Sequence, residues 1–312
     1  SCTFAEKVIQ AMEATAVAAL IYNDGAAPDR QGPFTGSMSG VVSTIPVFGL
    51  SYTLGTSLSE VDGLRMSLSV DSTGGNQTTM NVIAETSFGS SSNVIIVGSH
   101  LDSVPAGPGI NDNGSGSSVN LELALALAEL KLKTVNKIRF AWWGAEEMGL
   151  LGSKYYVSQL SEQDKANIAL NINMDMVGSP NYFIGIYNGS MANETIQAAC
   201  TTIQELFQEA FENRGLPYKL TPFTGRSDYG PFIDALIPAG GLFTGAEEIK
   251  TADDRHNFGG VANAAYDPCY HQACDTVENI NTEVLEDMSQ ALGYVVQTLA
   301  MQKNLREYLN EP

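Results

Sequence analysis

Apolar positions in the first 75 residues change their spacing several times, which is typical of a small unit built from short elements. Phe4, Val8, Ala11 and Met12 recur at helical spacing and place an apolar stripe on one face. Uninterrupted apolar runs predict buried strands, and a stretch rich in Gly and Pro predicts the loop between them. In chain order, the pattern predicts a helix over 4–14, a buried strand over 16–22, a loop over 25–40, a buried strand over 45–50, a helix over 56–64 and an alternating strand over 65–70.

A polar cluster with two glycines, DSTGGN at residues 71–76, predicts a break in the chain. Strands and helices alternate after it. The pattern predicts adjacent buried strands over 81–85 and 93–99, further strands over 137–143 and 168–176, and helices over 117–132, 154–159, 195–213 and 282–305. Such alternation favours an α/β sheet with helices on both faces. In these sheets, ligands bind beyond the carboxyl ends of the strands.

Side chains that bind divalent metals follow three of the predicted strands. His100 follows the strand at 93–99, and Glu146 and Glu147 follow the strand at 137–143. Asp175 follows residues 168–174 of the third strand. Because the carboxyl ends of parallel strands meet at one edge of a sheet, we expect these side chains to lie close together.

Two further candidates complete the set. Asp112 lies in a glycine-rich turn at residues 109–116, and His271 lies between two cysteines. Imidazole nitrogens and carboxylate oxygens are zinc ligands. Two histidines and three carboxylates are enough for two zinc-like ions that share one carboxylate, an arrangement that activates water and polarises a carbonyl. A carboxylate that is not a ligand must then move the proton, and Glu146, beside Glu147, is well placed for that role.

Each of these features also has an ordinary structural explanation. An Asp-Asn-Gly-Ser sequence is usually only a turn, and a pair of glutamates more often begins a solvated helix. The third histidine, His256, lies in a polar segment and is expected to be a surface residue on a loop. The coincidence of four such groups at one predicted sheet edge is what favours a metal centre.

Charge and cysteine content narrow the class of protein. The 312 residues include 16 Lys and Arg against 35 Asp and Glu, a net charge of -19 without a basic patch, so we expect no nucleic-acid partner. No apolar run approaches the ~18 residues that a membrane-spanning helix needs, so no membrane partner is expected. Cys269 and Cys274 do not have zinc-ribbon spacing and favour a small-loop disulfide, which needs an oxidising compartment. Cys2 and Cys200 have no evident partner in the sequence.

Seven segments occur in a recognisable order between about residue 79 and the C-terminal helix. They are GSHLDSV at 98–104, GINDNGSG at 109–116, RFAWWGAEE at 139–147, NMDMVGSP at 173–180, GRSDY at 225–229, GLFTGA at 241–246 and CYHQACD at 269–275. Together they closely resemble the secreted co-catalytic zinc aminopeptidases of leucine type. The resemblance implies a three-layer α/β/α domain with a mixed, mostly parallel central sheet. It also implies hydrolysis of the N-terminal peptide bond by a metal-bridging hydroxide, in a secreted, extracellular enzyme.

The resemblance also implies a role for individual residues. Two Zn²⁺ are expected, with His100 and Asp175 on one ion, Glu147 and His271 on the other, and Asp112 bridging them. The same comparison implies that Glu146 is the general base, that Tyr270 hydrogen-bonds the oxyanion, that Asp102 orients His100, and that Arg226, Met176 and Phe243 line the substrate cleft. It matches the Cys269–Cys274 pair to a family disulfide that would stiffen the loop carrying Tyr270 and His271.

The chain before residue 75 resembles the C-terminal part of a protease-associated domain, on the segments CTFAEK at 2–7 and IPVFGLS at 45–51. We therefore expect a partial protease-associated domain, a small α/β unit, at 1–75. The catalytic domain is expected at 76–312, without the family's first helix and strand. This arrangement predicts an upstream segment of the same protein, separate or cleaved, as a partner besides the peptide or protein N-termini that serve as substrate.

Other functions fit the sequence less well. A glutaminyl cyclase has a related fold but uses a single zinc, whereas here the ligands of both sites are retained. A two-metal phosphoesterase binds phosphate, whereas a site this acidic suits a cationic amine better. A non-catalytic receptor or binding module on the same fold would typically lack ligands or the base. Met176 and Phe243 suit the family's preference for Leu or other bulky apolar N-terminal residues.

Overall fold

The computed structural model describes residues 3–26, 30–34, 36, 43–69 and 78–310. The chain divides into two compact units, residues 1–78 and 79–312. The DSTGGN cluster at 71–76, where the sequence predicts the domain boundary, lies outside the described residues, and so does Cys2. The predicted extents of the two domains therefore stay predictions.

The described part of the N-terminal unit contains two helices and two paired strands. These are α1 at Phe4–Glu13, β1 at Ala19–Tyr22, β2 at Val47–Leu50 and α2 at Tyr52–Ser59. Thr3 begins α1, because its side chain accepts a hydrogen bond from the backbone of Glu6 while the Glu6 carboxylate accepts one from Thr3. The two strands pair in parallel. They are half-buried rather than buried as predicted, because a two-stranded sheet can cover little surface.

Two elements of this unit differ from the sequence prediction. Helix α2 begins earlier than expected, because the Ser51 side chain accepts a hydrogen bond from the backbone of Leu54 and starts the helix there. It ends before Gly63, whose φ of 67° belongs to the left-handed region. The strand predicted over 65–70 is wrong for its described residues, since 65–69 are exposed and join no described strand. Their alternating pattern therefore does not reflect a buried sheet face.

The larger unit is built around a mixed sheet. Its strands are β3 at Val82–Glu85, β4 at Ser90–His100, β5 at Asn136–Trp143, β6 at Ile168–Met174, β7 at Gly185–Tyr187, β8 at Lys219–Thr221 and β9 at Ala239–Phe243. Among the described residues their order is β3-β5-β4-β6-β9-β7-β8. The central strands β5, β4, β6 and β9 are parallel, whereas β3 and β7 run antiparallel to their neighbours β5 and β9.

Helices cover both faces of this sheet. They are α3 at Gly116–Leu130, α4 at Leu151–Ser158, α5 at Glu162–Asn167, α6 at Gln197–Glu212, α7 at Gly230–Asp234, α8 at Ala252–Phe258, α9 at Thr282–Met301 and α10 at Leu305–Asn310. Ile95 and Val97 of β4 pack into one core with α3, α6 and α9, while Val94 and Ile96 pack into a second core with α4 and α7. This alternation explains the uninterrupted apolar run in β4, because a strand buried on both faces needs apolar residues throughout. The predicted three-layer α/β/α class is confirmed.

Several local predictions for this unit need correction. Strand β3 is exposed and pairs with β5, so it is neither buried nor adjacent to β4 as predicted. The helix predicted over 282–305 ends at Met301, because Gln302 has extended backbone with ψ of 124°. His256 is exposed as predicted but lies on helix α8 rather than on a loop. Strands β7 and β8, of three residues each, are too short to produce a recognisable pattern.

Within the described ranges, no helix is both long and apolar enough to cross a membrane.

Candidate metal centre and substrate cleft

The sheet order brings the predicted ligands together. Strand β4 lies between β5 and β6. It ends at His100, which is in register with Trp143 at the end of β5, and β6 ends at Met174, directly before Asp175. The loops that carry metal-binding side chains therefore leave neighbouring parallel strands at the same edge, as the crevice rule predicts.

One group of candidate ligands is buried at the end of β4. The Nε2 atom of His100 lies 3.2 Å from Oδ1 of Asp112 and 3.4 Å from Oδ1 of Asp175. The His100 side chain is 1% exposed. Ser227 donates a hydrogen bond of 2.5 Å to Oδ2 of Asp175, which leaves Oδ1 directed at the histidine.

A second group shares Asp112 with the first. The Nε2 atom of His271 lies 3.1 Å from Oδ2 of Asp112 and 3.0 Å from Oε2 of Glu147. Asp112 thus directs one carboxylate oxygen to each histidine. The His271 side chain is 36% exposed, so this group is more accessible to solvent than the group around His100.

These two groups have the donor chemistry of a divalent metal site. In each, one atom per residue lies within 4.8 Å of the others, and among the described residues no further His, Cys, Asp or Glu group meets this criterion. The Nε2 atoms of both histidines, Oδ1 of Asp175 and Oε1 of Glu147 are buried without a hydrogen-bond partner in the described structure. Buried polar atoms normally have a partner. Each group combines one imidazole nitrogen with two carboxylates, and the two groups share Asp112. They therefore fit a pair of zinc-type ions.

The pKa values of these groups reflect the same convergence of charge. Burial opposes protonation of His100, but Asp175 and Asp112 outweigh it and raise the pKa of the imidazole well above its usual value. Burial is likewise overcome at His271, where the carboxylates of Asp112 and Glu147, at 3.1 Å and 3.0 Å, raise the pKa to about 10. Burial raises the pKa of Asp112, yet its close contacts with the two histidines bring it well below its ordinary value. In the metal-free protein, the histidines therefore carry the positive charge that balances the carboxylates.

The turn that presents Asp112 is fastened to the segment after β6. The side-chain oxygen of Asn113 accepts hydrogen bonds from the backbone of Gly116 and Met176, and its amide donates to the carbonyl of Met174. Ser115 accepts a hydrogen bond from the backbone of Val177. These contacts fix the turn at 110–115 against the residues that carry Asp175.

Gly116 makes this close approach possible. A Cβ atom at this position would lie 2.2 Å from the carbonyl oxygen of Met174 and 2.5 Å from Oδ1 of Asn113. The start of helix α3 therefore packs directly on the backbone at the end of β6, and no larger residue fits without moving one of them.

Glu146 precedes Glu147 in the chain and interacts with the charges of His100 and Asp175, but it belongs to neither ligand group. It is 8% exposed. Burial, together with the carboxylates of Asp175 and Asp228, raises its pKa to about 10 against the opposing effect of His100. A buried carboxyl next to converging metal ligands is a typical position for a residue that exchanges protons with bound water or substrate.

Asp102 makes a contact that the sequence does not predict. Its backbone carbonyl lies 3.0 Å from Nδ1 of His100, whereas its carboxylate oxygen Oδ1 is 3.8 Å from the same atom. The carboxylate instead accepts hydrogen bonds of 2.9 Å and 3.2 Å from the backbone of Glu146 and Glu147. The side chain therefore supports the turn that carries both glutamates, while the main chain contacts the histidine.

An open cleft of about 140 Å³ leads to the two groups. The carboxylate residues Asp112, Glu146, Glu147 and Asp175 are among those that line it. The three residues predicted for substrate contact, Met176, Phe243 and Arg226, all line the same cleft, together with Tyr187, Thr221, Pro222, Thr224, Ser227, Tyr229, Ala246, Glu248 and Tyr270. The cleft thus combines an acidic part with apolar and aromatic side chains.

The loop that carries Tyr270 and His271 is closed by the Cys269–Cys274 disulfide, as predicted. The rings of Tyr270 and His271 stack with centroids 3.8 Å apart. The phenolic oxygen of Tyr270 accepts a hydrogen bond of 3.2 Å from Nη2 of Arg226.

Cys200 is a buried free thiol. Its sulfur accepts a hydrogen bond from the backbone of Ala239, the first residue of β9.

Sequence reasoning missed three residues of the site. Ser227 orients Asp175, as described above. Tyr229 accepts hydrogen bonds from the backbone of Thr224 and Gly225, and so holds the loop that leads to Arg226. Asp275 contacts the turn of Asp112. All three lie inside the segments that carry the resemblance, at most three residues from a residue with an assigned role, and that position is the feature by which they could have been found.

Comparison with known proteins adds independent information. Residues 81–296 match peptidase family M28, and residues 1–58 match the PA domain. Leucine aminopeptidase 2 of Trichophyton rubrum is 44% identical over 317 residues, which cover 100% of this chain and 62% of that protein. An aminopeptidase of Pseudomonas aeruginosa (strain UCBPP-PA14) is 43% identical over 304 residues, which cover 96% of this chain and 56% of that protein. The chain thus spans about three fifths of the length of these relatives.

Two solved aminopeptidase structures have a fold similar to that of this chain. The zinc aminopeptidase BSAP from Bacillus subtilis superposes with a TM-score of 0.69 at 29% identity, covering 97% of this chain and 69% of that one. An aminopeptidase from Aneurinibacillus sp. strain AM-1 superposes with a TM-score of 0.72 at 29% identity, covering 96% and 68%.

Proposed function

This chain belongs to peptidase family M28, and on that premise we propose that it is a zinc-dependent aminopeptidase that removes Leu or other bulky apolar residues from peptide N-termini. The observation that carries the proposal is the pair of ligand groups that share Asp112, with the buried carboxyl of Glu146 beside them at an open cleft. The names of the fungal and bacterial relatives, leucine aminopeptidase 2 and aminopeptidase, support the same activity.

We assign two zinc ions to the two groups. His100 and Asp175 would hold one, Glu147 and His271 the other, and Asp112 would contribute one oxygen to each. The chemistry that a zinc pair supplies when bound is polarisation of the scissile carbonyl and a lower pKa for water.

Glu146 is the proposed general base. Bound cations would lower the pKa of Glu146 from the raised value of the metal-free protein, so that its carboxylate takes a proton from the attacking water and returns it to the leaving amine. The backbone N–H groups of Glu146 and Glu147 donate to the carboxylate of Asp102. These two hydrogen bonds keep the Glu146 side chain in place during both proton transfers. Glu147, the next residue, points to His271 and is free for metal binding.

Recognition of a free N-terminus follows from the charge of the cleft. The carboxylates of Glu146 and Asp175 line it and would attract the ammonium group of the substrate. An internal peptide bond has no such charge, and its chain would have to pass through the space next to these carboxylates. Cleavage would therefore be restricted to the first residue.

Tyr270 and the apolar lining complete the proposed site. The Tyr270 hydroxyl accepts its hydrogen bond from Arg226, so its own proton is available to donate to the carbonyl oxygen on which negative charge develops. Met176 and Phe243 provide apolar surface in the same cleft, which suits a bulky apolar side chain. These residues would set the preference for Leu.

The N-terminal unit and the location of the protein are also part of the proposal. The match of residues 1–58 supports a protease-associated domain in this part of the chain. The Cys269–Cys274 disulfide supports secretion, because such bonds persist in oxidising compartments.

The decisive experiment compares leucyl p-nitroanilide with its N-acetyl form. We expect rapid hydrolysis of the free amine and none of the blocked compound, loss of activity on dialysis against a chelator, and recovery with Zn²⁺. Comparable hydrolysis of the acetylated anilide would mean that the N-terminus is not recognised, and activity without metal would exclude the assigned mechanism. Anilides of Leu, Lys and Asp would then rank the preference for an apolar side chain.

A further inference from the structure

One carboxylate outside the two ligand groups faces the turn that presents Asp112. Three consecutive backbone N–H groups of this turn donate to Asp275. Ile110 donates to its main-chain carbonyl at 3.1 Å, Asn111 to Oδ1 at 2.9 Å, and Asp112 to Oδ2 at 3.1 Å. Asp275 thus accepts the backbone N–H groups of all three residues from Ile110 to Asp112, the proposed bridging ligand.

The site of Asp275 is built around this contact. The residue is 1% exposed, and its carboxylate accepts a further hydrogen bond from the side-chain amide of Asn279 at 3.1 Å. No ion pair of Asp275 occurs within the described ranges, so its charge is balanced by N–H donors alone. A buried carboxylate held in this way is costly unless its donors stay in place, which makes the contact stiff.

Asp275 also belongs to the loop of the second ligand group. It directly follows Cys274, whose disulfide to Cys269 closes the loop that carries His271. The turn of Asp112 is fastened to the Asp175 segment by Asn113 and Ser115, independently of this loop. Asp275 therefore links the turn to the loop of His271 through three backbone N–H groups, and the only other hydrogen bond between them in the described structure runs from the Asn111 amide to Asp267, which in turn accepts one from the backbone of Cys269. The contacts to the Asp175 segment do not pass through Asp275.

We propose that Asp275 is a positioning residue that sets the distance between Asp112 and His271, and that its loss weakens metal binding at the group of Asp112, Glu147 and His271 while the group of His100 is preserved. This inference rests on the proposed function, because it assigns a metal to each group. Substitution of residues behind metal ligands typically lowers affinity or activity by about 10–100-fold.

The test uses Asp275→Asn in the full chain. Asparagine keeps one acceptor oxygen but places an amide NH₂ against one backbone N–H. The matched control is Asp254→Asn, since Asp254 is also buried and accepts hydrogen bonds from Lys219, Tyr266 and Thr251, none of which is a candidate ligand. Metal-free protein is titrated with Co²⁺, and the two binding steps are followed by their visible absorption and by metal content.

We expect two tight steps in the wild type and in Asp254→Asn. Asp275→Asn should keep one tight step and show the second weakened by about 10–100-fold. Two unchanged steps, or equal weakening of both, would overturn the inference. A wild type that binds no metal would instead overturn the proposed function.

A second measurement does not depend on the variant. Amide hydrogen exchange in the metal-free wild type, resolved at Ile110, Asn111 and Asp112, should be slow, because these three N–H groups are buried in hydrogen bonds to Asp275. Exchange as fast as that of exposed loop amides would refute the contact even if Asp275→Asn does not fold.

Discussion

Arg226 donates a hydrogen bond of 3.2 Å to the phenolic oxygen of Tyr270, across 44 residues of sequence. The other terminal nitrogen of the guanidinium pairs with Glu247 at 2.9 Å. The ion pair with Glu247 therefore fixes the guanidinium of Arg226, which in turn orients the hydroxyl of Tyr270. Its charge also makes the phenol a better donor, because a hydroxyl that accepts a hydrogen bond from a cation is polarised.

Replacement of Tyr270 by Phe should remove this donor without loss of metal. We expect kcat for leucyl anilide to fall by about 10²–10³-fold with little change in KM, the usual cost of removing one group that stabilises an oxyanion. Tyr218→Phe, which removes a hydroxyl bonded to Glu212 outside the cleft, is the control and should retain full activity. A Tyr270→Phe enzyme within twofold of wild type would exclude the role assigned to the hydroxyl.

Removal of the Arg226 side chain tests whether it acts through Tyr270. Arg226→Ala should lower kcat less than Tyr270→Phe does, and the double variant should be no slower than Tyr270→Phe alone. Steady-state kinetics on the two single variants and the double variant give the coupling. Additive losses would mean that Arg226 contributes to the reaction through some other contact.

Glu146→Gln should separate catalysis from metal binding. The amide is nearly isosteric but cannot take a proton, so kcat should fall by about 10²–10⁴-fold. Metal content should remain at the wild-type level, because Glu146 belongs to neither ligand group. In Glu147→Gln, by contrast, metal content itself should fall. Retained turnover in Glu146→Gln would require a different base.

Asp102→Asn distinguishes the role implied by the resemblance from the contact in the structure. If the carboxylate mainly supports the turn of Glu146, the amide will repel one of the two N–H groups. In that case kcat should fall by about 10–100-fold while Zn²⁺ affinity is retained. A fall in Zn²⁺ affinity with kcat preserved in the loaded enzyme would instead favour orientation of His100 by the carboxylate.

Stability of the metal-free protein should decrease as pH rises above about 6.5. The folded pKa of His271 is raised from 6.5 to about 10, so its ionic stabilisation is complete below 6.5 and is lost as pH rises toward 10. Glu146, raised from 4.5 to about 10, acts in the same direction, because its ionisation disfavours the folded state. Calorimetry from pH 6 to 9 should give a falling Tm.

Zinc-loaded protein is the comparison for this experiment. Its histidines are occupied without a proton, so the difference in Tm between loaded and metal-free protein should widen between pH 6 and 8. A metal-free Tm that stays constant or rises over this interval contradicts the ionic account of the two groups.

Gly116→Ala should destabilise the fold and weaken metal binding together. The added methyl would lie 2.2 Å from the carbonyl oxygen of Met174, which must shift the turn of Asp112 or the end of β6. We expect a loss of at least about 1–3 kcal/mol in urea unfolding, as for other overpacked positions. Gly293→Ala, on helix α9 with nothing within 4 Å of the new methyl, should instead be neutral or stabilising. Equal behaviour of both variants would refute the packing argument.

The local pattern was sufficient for the central strands. The continuous apolar run that ends at His100 predicts a strand buried on both faces, and β4 is that strand. The polar residues at the end of β4 and shortly after β5 and β6 then lie at one edge, because these strands are parallel. The pattern failed at β3 and at residues 65–69, because a short apolar or alternating run does not specify which strand, if any, it pairs with.

The class of fold and the residue types available for chemistry can be derived from the amino-acid sequence, because the spacing of apolar residues and the position of polar residues at strand ends are local properties of the chain. The partners that those residues contact depend on the tertiary packing. Asp102 supports the turn of Glu146 across 44 residues, and Asp275 holds the backbone of Asp112 across 163. Such contacts arise when distant loops are packed at one sheet edge, and no periodicity records them.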